Sequence, residues 1–164
     1  MTTQTSAQSN EPTEKLRSPD EFFERIETTY AQLLGSLEGL TDEQLITPGM
    51  TGTWSGKDVM SHIARWEETT TAAIEHHLRG ERLPGDYRNY EAWNARWAEE
   101  DRDVPLNEVK RRFEESHQRL MDVLDSLSPE QWNRYVQAWL NGATWHHYEG
   151  HAGWIQEWRD RQGR

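Results

Sequence analysis

The sequence predicts an all-α protein: a four-helix bundle with a short extra helix between its second and third long helices. Three observations carry this expectation. Apolar residues recur three and four positions apart in four long segments, the period of a helix with one buried face. Hydroxyl, proline and acidic residues stand where those segments begin, and glycine or proline where they stop. A stretch near the end of the first segment also recurs near the end of the third.

The first helix opens at Ser18-Pro19-Asp20-Glu21, where serine suits the N-cap, proline the first helical position and acids the first turn. Its apolar stripe is Phe22, Phe23, Ile26, Tyr30, Leu33, Leu34 and Leu37. Gly39 ends it, and Thr41-Asp42-Glu43-Gln44 reads as the cap of a short following turn. Pro48, Gly49 and Gly52 make a loop. The second helix starts near Ser55, with Asp58 placed to complete its cap, and its inward stripe includes Val59, His62, Ile63, Trp66, Thr70, Ala73 and His77. It stops before Gly80. The extra segment, 87–100, carries Tyr90, Trp93 and Trp97 on one face, which either covers a pocket or forms a homodimer surface. The third helix opens at Pro105 with Val109, Phe113, Leu120, Leu124 and Leu127. The fourth opens at Thr144 and runs to the C-terminal end.

The repeat relates 33–45 to 120–132. Each copy is followed by a loop, a Thr-Trp pair (Thr53-Trp54 and Thr144-Trp145) and a histidine-bearing helix. The first and second helices therefore read as one hairpin and the third and fourth as another, packed with approximate twofold symmetry.

A chain of 164 residues suits one domain, here 18–164, preceded by a polar segment 1–17 expected to be a disordered tail. There is no cysteine, so disulfides, iron–sulfur clusters and a cysteine nucleophile are excluded. The formal net charge of -11 argues against nucleic acid and anionic membranes as partners. No apolar run approaches the roughly 18 residues of a membrane span, and the N-terminal segment lacks a signal-peptide core. The expected location is the cytoplasm. Nine tryptophans are an unusual number for this length and suit either a core or a pocket.

His147 and His151 lie four positions apart, on one face of a helix with β-carbons about 6 Å from each other. That face also carries Trp154, Ile155 and Trp158, so the pair points inward. His62 stands on the inward stripe of the second helix. A buried imidazole needs partners for both ring nitrogens, and three of them meet that need either by sharing a divalent cation or through separate hydrogen bonds. Neutral imidazoles suit Zn²⁺, Ni²⁺ or Fe²⁺, and the lack of an obvious fourth protein ligand leaves room for water or substrate. Trp66, Trp93 and Trp154 are candidate walls of a ligand pocket. Glu67, Glu68 and Glu149 are candidate acid, base or supporting groups. The remaining histidines, His76, His77, His117 and His146, read as structural.

Gly52-Thr53-Trp54-Ser55-Gly56-Lys57-Asp58-Val59-Met60-Ser61-His62-Ile63-Ala64 resembles the second-helix opening of the DinB/YfiT-like superfamily, and His147-Tyr148-Glu149-Gly150-His151 resembles its fourth-helix segment. The stretch from Phe22 through Pro48-Gly49 and Gly52-Thr53-Trp54-Ser55 is most similar to the ClbS/DfsB branch. The resemblance implies an up-down-down-up bundle, often dimeric, with His62, His147 and His151 as the ligands of one metal ion. It also implies candidate functions. One is metal-dependent transfer of a low-molecular-weight thiol, of the mycothiol or bacillithiol type, to a small-molecule electrophile. A second is hydrolysis by metal-activated water, as self-protection against a reactive metabolite. A third is a non-catalytic binding module.

Overall fold

Ser18 accepts a hydrogen bond from the Glu21 backbone while the Glu21 side chain accepts one from Ser18, and this reciprocal cap starts α1, Pro19–Leu37. The same device recurs at Thr41 and Gln44 before α2, Asp42–Ile46, and at Ser55 and Asp58 before α3, Gly56–Leu78. The structure, a computed structural model, describes residues 17–163. The expected tail, but for Arg17, therefore lies outside the described residues. Between α2 and α3 the chain turns tightly, with the Trp54 carbonyl accepting from the backbone of Gly49, Met50 and Thr51. Gly49 and Gly52 take φ of 103° and 59° there, values that side chains with a β-carbon disfavour.

Further along come α4, Tyr90–Glu100, α5, Leu106–Asp125, a 3₁₀ turn at Pro129–Gln131, α6, Arg134–Ala143, and α7, Trp145–Gln162. The long helices α1, α3, α5 and α7 form the bundle around Phe22, Ile26, Leu33, Ile63, Ile74, Leu120, Leu140, Tyr148 and Ile155, all buried. Among the described residues there is no strand, only one isolated bridge between Thr51 and Trp54. No described helix is long and apolar enough to cross a membrane.

Side-chain pairing gives the helix directions. Glu68 pairs with Arg112 and Glu75 with Arg119, so α3 and α5 run parallel. Phe22 meets Trp145, Tyr30 meets Tyr148, and Arg159 donates to the Ser36 and Glu38 carbonyls, so α1 and α7 also run parallel. Between the pairs the sense reverses: His62 faces His151, while Glu67, further along α3, reaches back to Tyr148. This is the up-down-down-up arrangement.

The hairpin expectation needs two corrections. The closest packing is α3 on α5 and α1 on α7, between the two repeat units and not within them. A twofold operation that exchanges the units maps one of these contacts onto the other, so the symmetry expectation fits this pairing. The stretch expected as a loop after the second copy is α6, capped by Asn133 and burying Val136, Leu140 and Ala143. It packs on both α3 and α7 and so enters the space where those helices would otherwise meet.

Candidate metal centre

His62 lies in the second turn of α3, and His147 and His151 occupy successive turns of α7. The Ser55 cap fixes where α3 begins. The Thr144 hydroxyl bonds to the Leu140 carbonyl at the junction of α6 and α7. The structure brings the three rings to one place. One ring nitrogen from each lies within 4.8 Å of the others. The ring centroids are 4.7, 5.1 and 4.8 Å apart, and the rings meet at steep angles of 80°, 65° and 67°. The closest approach is 2.7 Å between the Nε2 atoms of His62 and His147.

Burial holds all three rings neutral. His62 is pushed down to about 2, by burial first and then by His147 and His151. Burial takes His147 down to about 4, against an opposing effect of the Ala143 carbonyl. His151 falls to about 3, by burial and by His147. Neutral rings keep a lone pair for coordination. The Nδ1 atom of His151 is also buried without a hydrogen-bond partner, a state that buried polar atoms rarely hold. In zinc sites, imidazole nitrogens stand about 2.0–2.1 Å from the ion and hence about 3.3 Å from each other. The observed spacing comes to that value with small ring movements, so these residues fit a divalent ion. The cluster includes no fourth His, Cys, Asp or Glu among the described residues, which leaves coordination positions open.

All three histidines line a cavity of about 1500 Å³ that opens to solvent. Trp54, Trp66, Tyr87, Trp139 and Trp154 form much of its aromatic wall. Trp54 tilts over His62 at 4.7 Å, and Trp154 meets His151 edge-on at 5.2 Å. The Trp66 indole donates to Asn94 on α4, which fixes its ring. Of the three tryptophans expected as walls, Trp66 and Trp154 line the cavity and Trp93 does not. Tyr87, just before α4, takes that place, and Trp93 stacks on it at 4.8 Å while donating to the Asp86 carbonyl. Trp54, Tyr87 and Trp139 were not expected as walls. Trp54 stands in the sequence in a repeated pair and in the stretch that carries the family resemblance, neither of which marks it as a wall, and Trp139 lies on α6, where a loop is expected.

The carboxylates also separate. Glu68 pairs with Arg112, and Glu149 is exposed. Glu67 is fully buried and accepts hydrogen bonds from Tyr148 and Ser116. His117 stands beside it, stacked on Tyr30. His76 approaches Glu81, His77 stacks on Tyr135, and His146 lies on the cavity rim.

The family model of the DinB superfamily matches residues 25–157. No curated protein matches the chain by sequence. Its fold is shared by solved structures, among them the following three. "Sibling Lethal Factor Precursor - DfsB" aligns with a TM-score of 0.75 at 17% identity, covering 90% of this chain and 98% of that one. The colibactin self-resistance protein ClbS, in complex with a dsDNA, aligns at 0.73 and 16% identity, covering 87% and 95%. An uncharacterised protein from Escherichia coli UTI89 aligns at 0.76 and 12% identity, covering 89% and 95%.

The ClbS complex corrects the exclusion of nucleic acid, since a protein of this fold is seen with double-stranded DNA. Net charge averages over a whole surface, whereas binding samples one patch of it. Here the cavity lining carries Arg82, Arg88 and Arg161 against Asp86, Glu91 and Glu157, locally balanced in a chain of net charge -11.

Proposed function

The chain belongs to the DinB superfamily, and on that premise we propose that His62, His147 and His151 hold one divalent metal ion. We propose further that the site transfers a low-molecular-weight thiol to a small electrophile bound in the aromatic cavity. One observation carries this reading: three neutral, converging imidazoles form part of the wall of an open cavity of about 1500 Å³. That exceeds the roughly 300–1,000 Å³ of a typical single-ligand pocket and leaves room for a cosubstrate beside an electrophile. A divalent ion held there lowers the pKa of a thiol or a water that joins it.

The remaining roles fall to the chain's own residues. The chain has no cysteine, so the sulfur comes from the cosubstrate. Trp54, Trp66 and Trp154 line the cavity and suit a flat, apolar ligand. Arg82 and Arg161 line the same cavity, and neither guanidinium has an ion-pair partner among the described residues. They suit an anionic group on the thiol or on the electrophile.

A second reading is favoured by the likeness to ClbS: activation of water against a reactive metabolite, at or near DNA. Metal analysis and turnover separate the readings. Purified protein is expected to carry or take up one equivalent of Zn²⁺, Ni²⁺ or Fe²⁺. Conjugation of a chlorodinitrobenzene probe is expected to require an added thiol and to vanish in His151→Ala. Thiol-independent loss of an electrophile, with retention of a double-stranded oligonucleotide, would favour the second reading. Ligand binding that survives chelation without any turnover would leave only a binding module.

A further inference from the structure

The helices that carry the histidines belong to different parallel pairs: α3 packs chiefly on α5, and α7 chiefly on α1. Something must therefore fix how α3 and α7 stand to each other, because the converging geometry depends on it. The described residues show one short side-chain hydrogen bond between them besides the His62–His147 approach. The Tyr148 hydroxyl donates to Glu67 Oε1 at 2.5 Å. Glu67 follows His62 by five positions on α3, about 7.5 Å along the axis, and Tyr148 is the neighbour of His147 on α7.

Both groups are fully buried. The Tyr148 hydroxyl has no solvent to turn to, and it donates to the carboxyl group. Glu67 is held from a third helix as well: Ser116 Oγ on α5 donates to Oε2 at 2.5 Å, and His117 Nδ1 lies 3.1 Å from Oε1. Tyr30 on α1 closes the group, stacked on His117 with centroids 3.4 Å apart. All four long helices thus meet at one buried carboxyl group beside the histidines.

We infer that the Glu67–Tyr148 bond is a positioning strut that sets the separation of α3 and α7 and thereby preorganises His62 against His147 and His151. The inference rests on the metal reading above. Neither residue touches the cavity, so the strut acts through the histidines. A strut that spans two ligand-bearing helices governs metal affinity, whereas a buried bond that only strengthens the core governs the unfolding transition.

The test compares the full-length wild type with Tyr148→Phe, Glu67→Leu, the double variant and Ser116→Ala. Zn²⁺ affinity is read by competition with a chelating indicator, the ligand field from the visible spectrum of the Co²⁺ form, and stability from thermal unfolding. Tyr148→Phe, which removes the donor, and Glu67→Leu, which removes the acceptor, are each expected to weaken Zn²⁺ binding about tenfold or more, the scale on which supporting groups act, and to change the Co²⁺ bands. The double variant is expected to lose no more than either single one, because both remove the same interaction. Ser116→Ala, which removes only a donor from α5, is expected to lower the melting temperature and leave the metal affinity in place. Should Tyr148→Phe not fold, Glu67→Asp keeps the carboxylate and shortens the strut by one methylene, and the same loss of affinity is expected. Variants that melt earlier but bind Zn²⁺ and Co²⁺ as the wild type does would overturn the strut. So would a Ser116→Ala loss equal to that of Tyr148→Phe. A wild type that takes up no metal would overturn the metal reading itself, a separate result.

Discussion

His151 is 4% exposed, and it shares its surroundings with two other uncharged imidazoles. In the folded chain burial pushes the three rings down to about 2, 4 and 3, below the ordinary 6.5 of an unfolded histidine. As pH falls from about 6.5 toward 4 the unfolded chain takes up protons on these rings and the folded chain does not, so stability falls with pH in that window. At the steepest point three protons correspond to about 4 kcal/mol per pH unit. The melting temperature of chelator-treated protein is therefore expected to drop sharply between pH 6.5 and 4.5, and His62→Gln to flatten the slope by about a third. A flat profile would show that the rings are charged or solvated. The two α7 histidines were legible in the sequence because i and i+4 spacing is a local property of a helix. That His62 meets them is a long-range fact that periodicity could only suggest. The cavity walls were less legible still, since nothing near Trp139 or Tyr87 in sequence marks them as neighbours of His62.

At the level of elements, helix starts were the most legible feature. The caps at Ser18, Thr41 and Ser55 are closed by residues three positions away, so the sequence holds both partners side by side. Helix pairing was not legible, because the choice of α5 or α1 as the partner of α3 depends on contacts between residues far apart in the chain. The repeat predicts a loop where α6 stands, since a tight turn occupies the matching place in the first unit. Its own signal was present: Asn133 accepts from the Tyr135 and Val136 backbone, and Val136, Leu140 and Ala143 fall on one face. That face makes α6 the wedge between the two histidine-bearing helices. Leu140→Ala is expected to cost about 2–5 kcal/mol in denaturant unfolding, the usual range for truncating a buried leucine. Because the wedge supports both α3 and α7, it is also expected to weaken Zn²⁺ binding. Loss of stability with unchanged affinity would place the support of the site elsewhere.

Across the whole molecule the question is whether the metal makes the fold or the fold makes the metal site. Small zinc domains are unfolded without their ion because they lack a core. This chain buries a continuous apolar cluster that reaches through all four long helices, and the histidines stand at its edge, where it meets the cavity. The fold therefore comes first, and chelation is expected to leave the far-ultraviolet circular dichroism of a helical protein. An ion that binds only the folded state still stabilises it by mass action, by about 4 kcal/mol at a free concentration 1,000 times the dissociation constant. For a domain of this size each kcal/mol moves the melting temperature by about 2–4 °C. Saturating Zn²⁺ or Ni²⁺ is thus expected to raise the melting temperature by about 8–16 °C over the chelated protein, and to leave His151→Ala nearly unmoved. Unfolding on chelation would reverse the order of cause argued here. An equal rise in His151→Ala would mean that the ion binds somewhere other than the three converging rings.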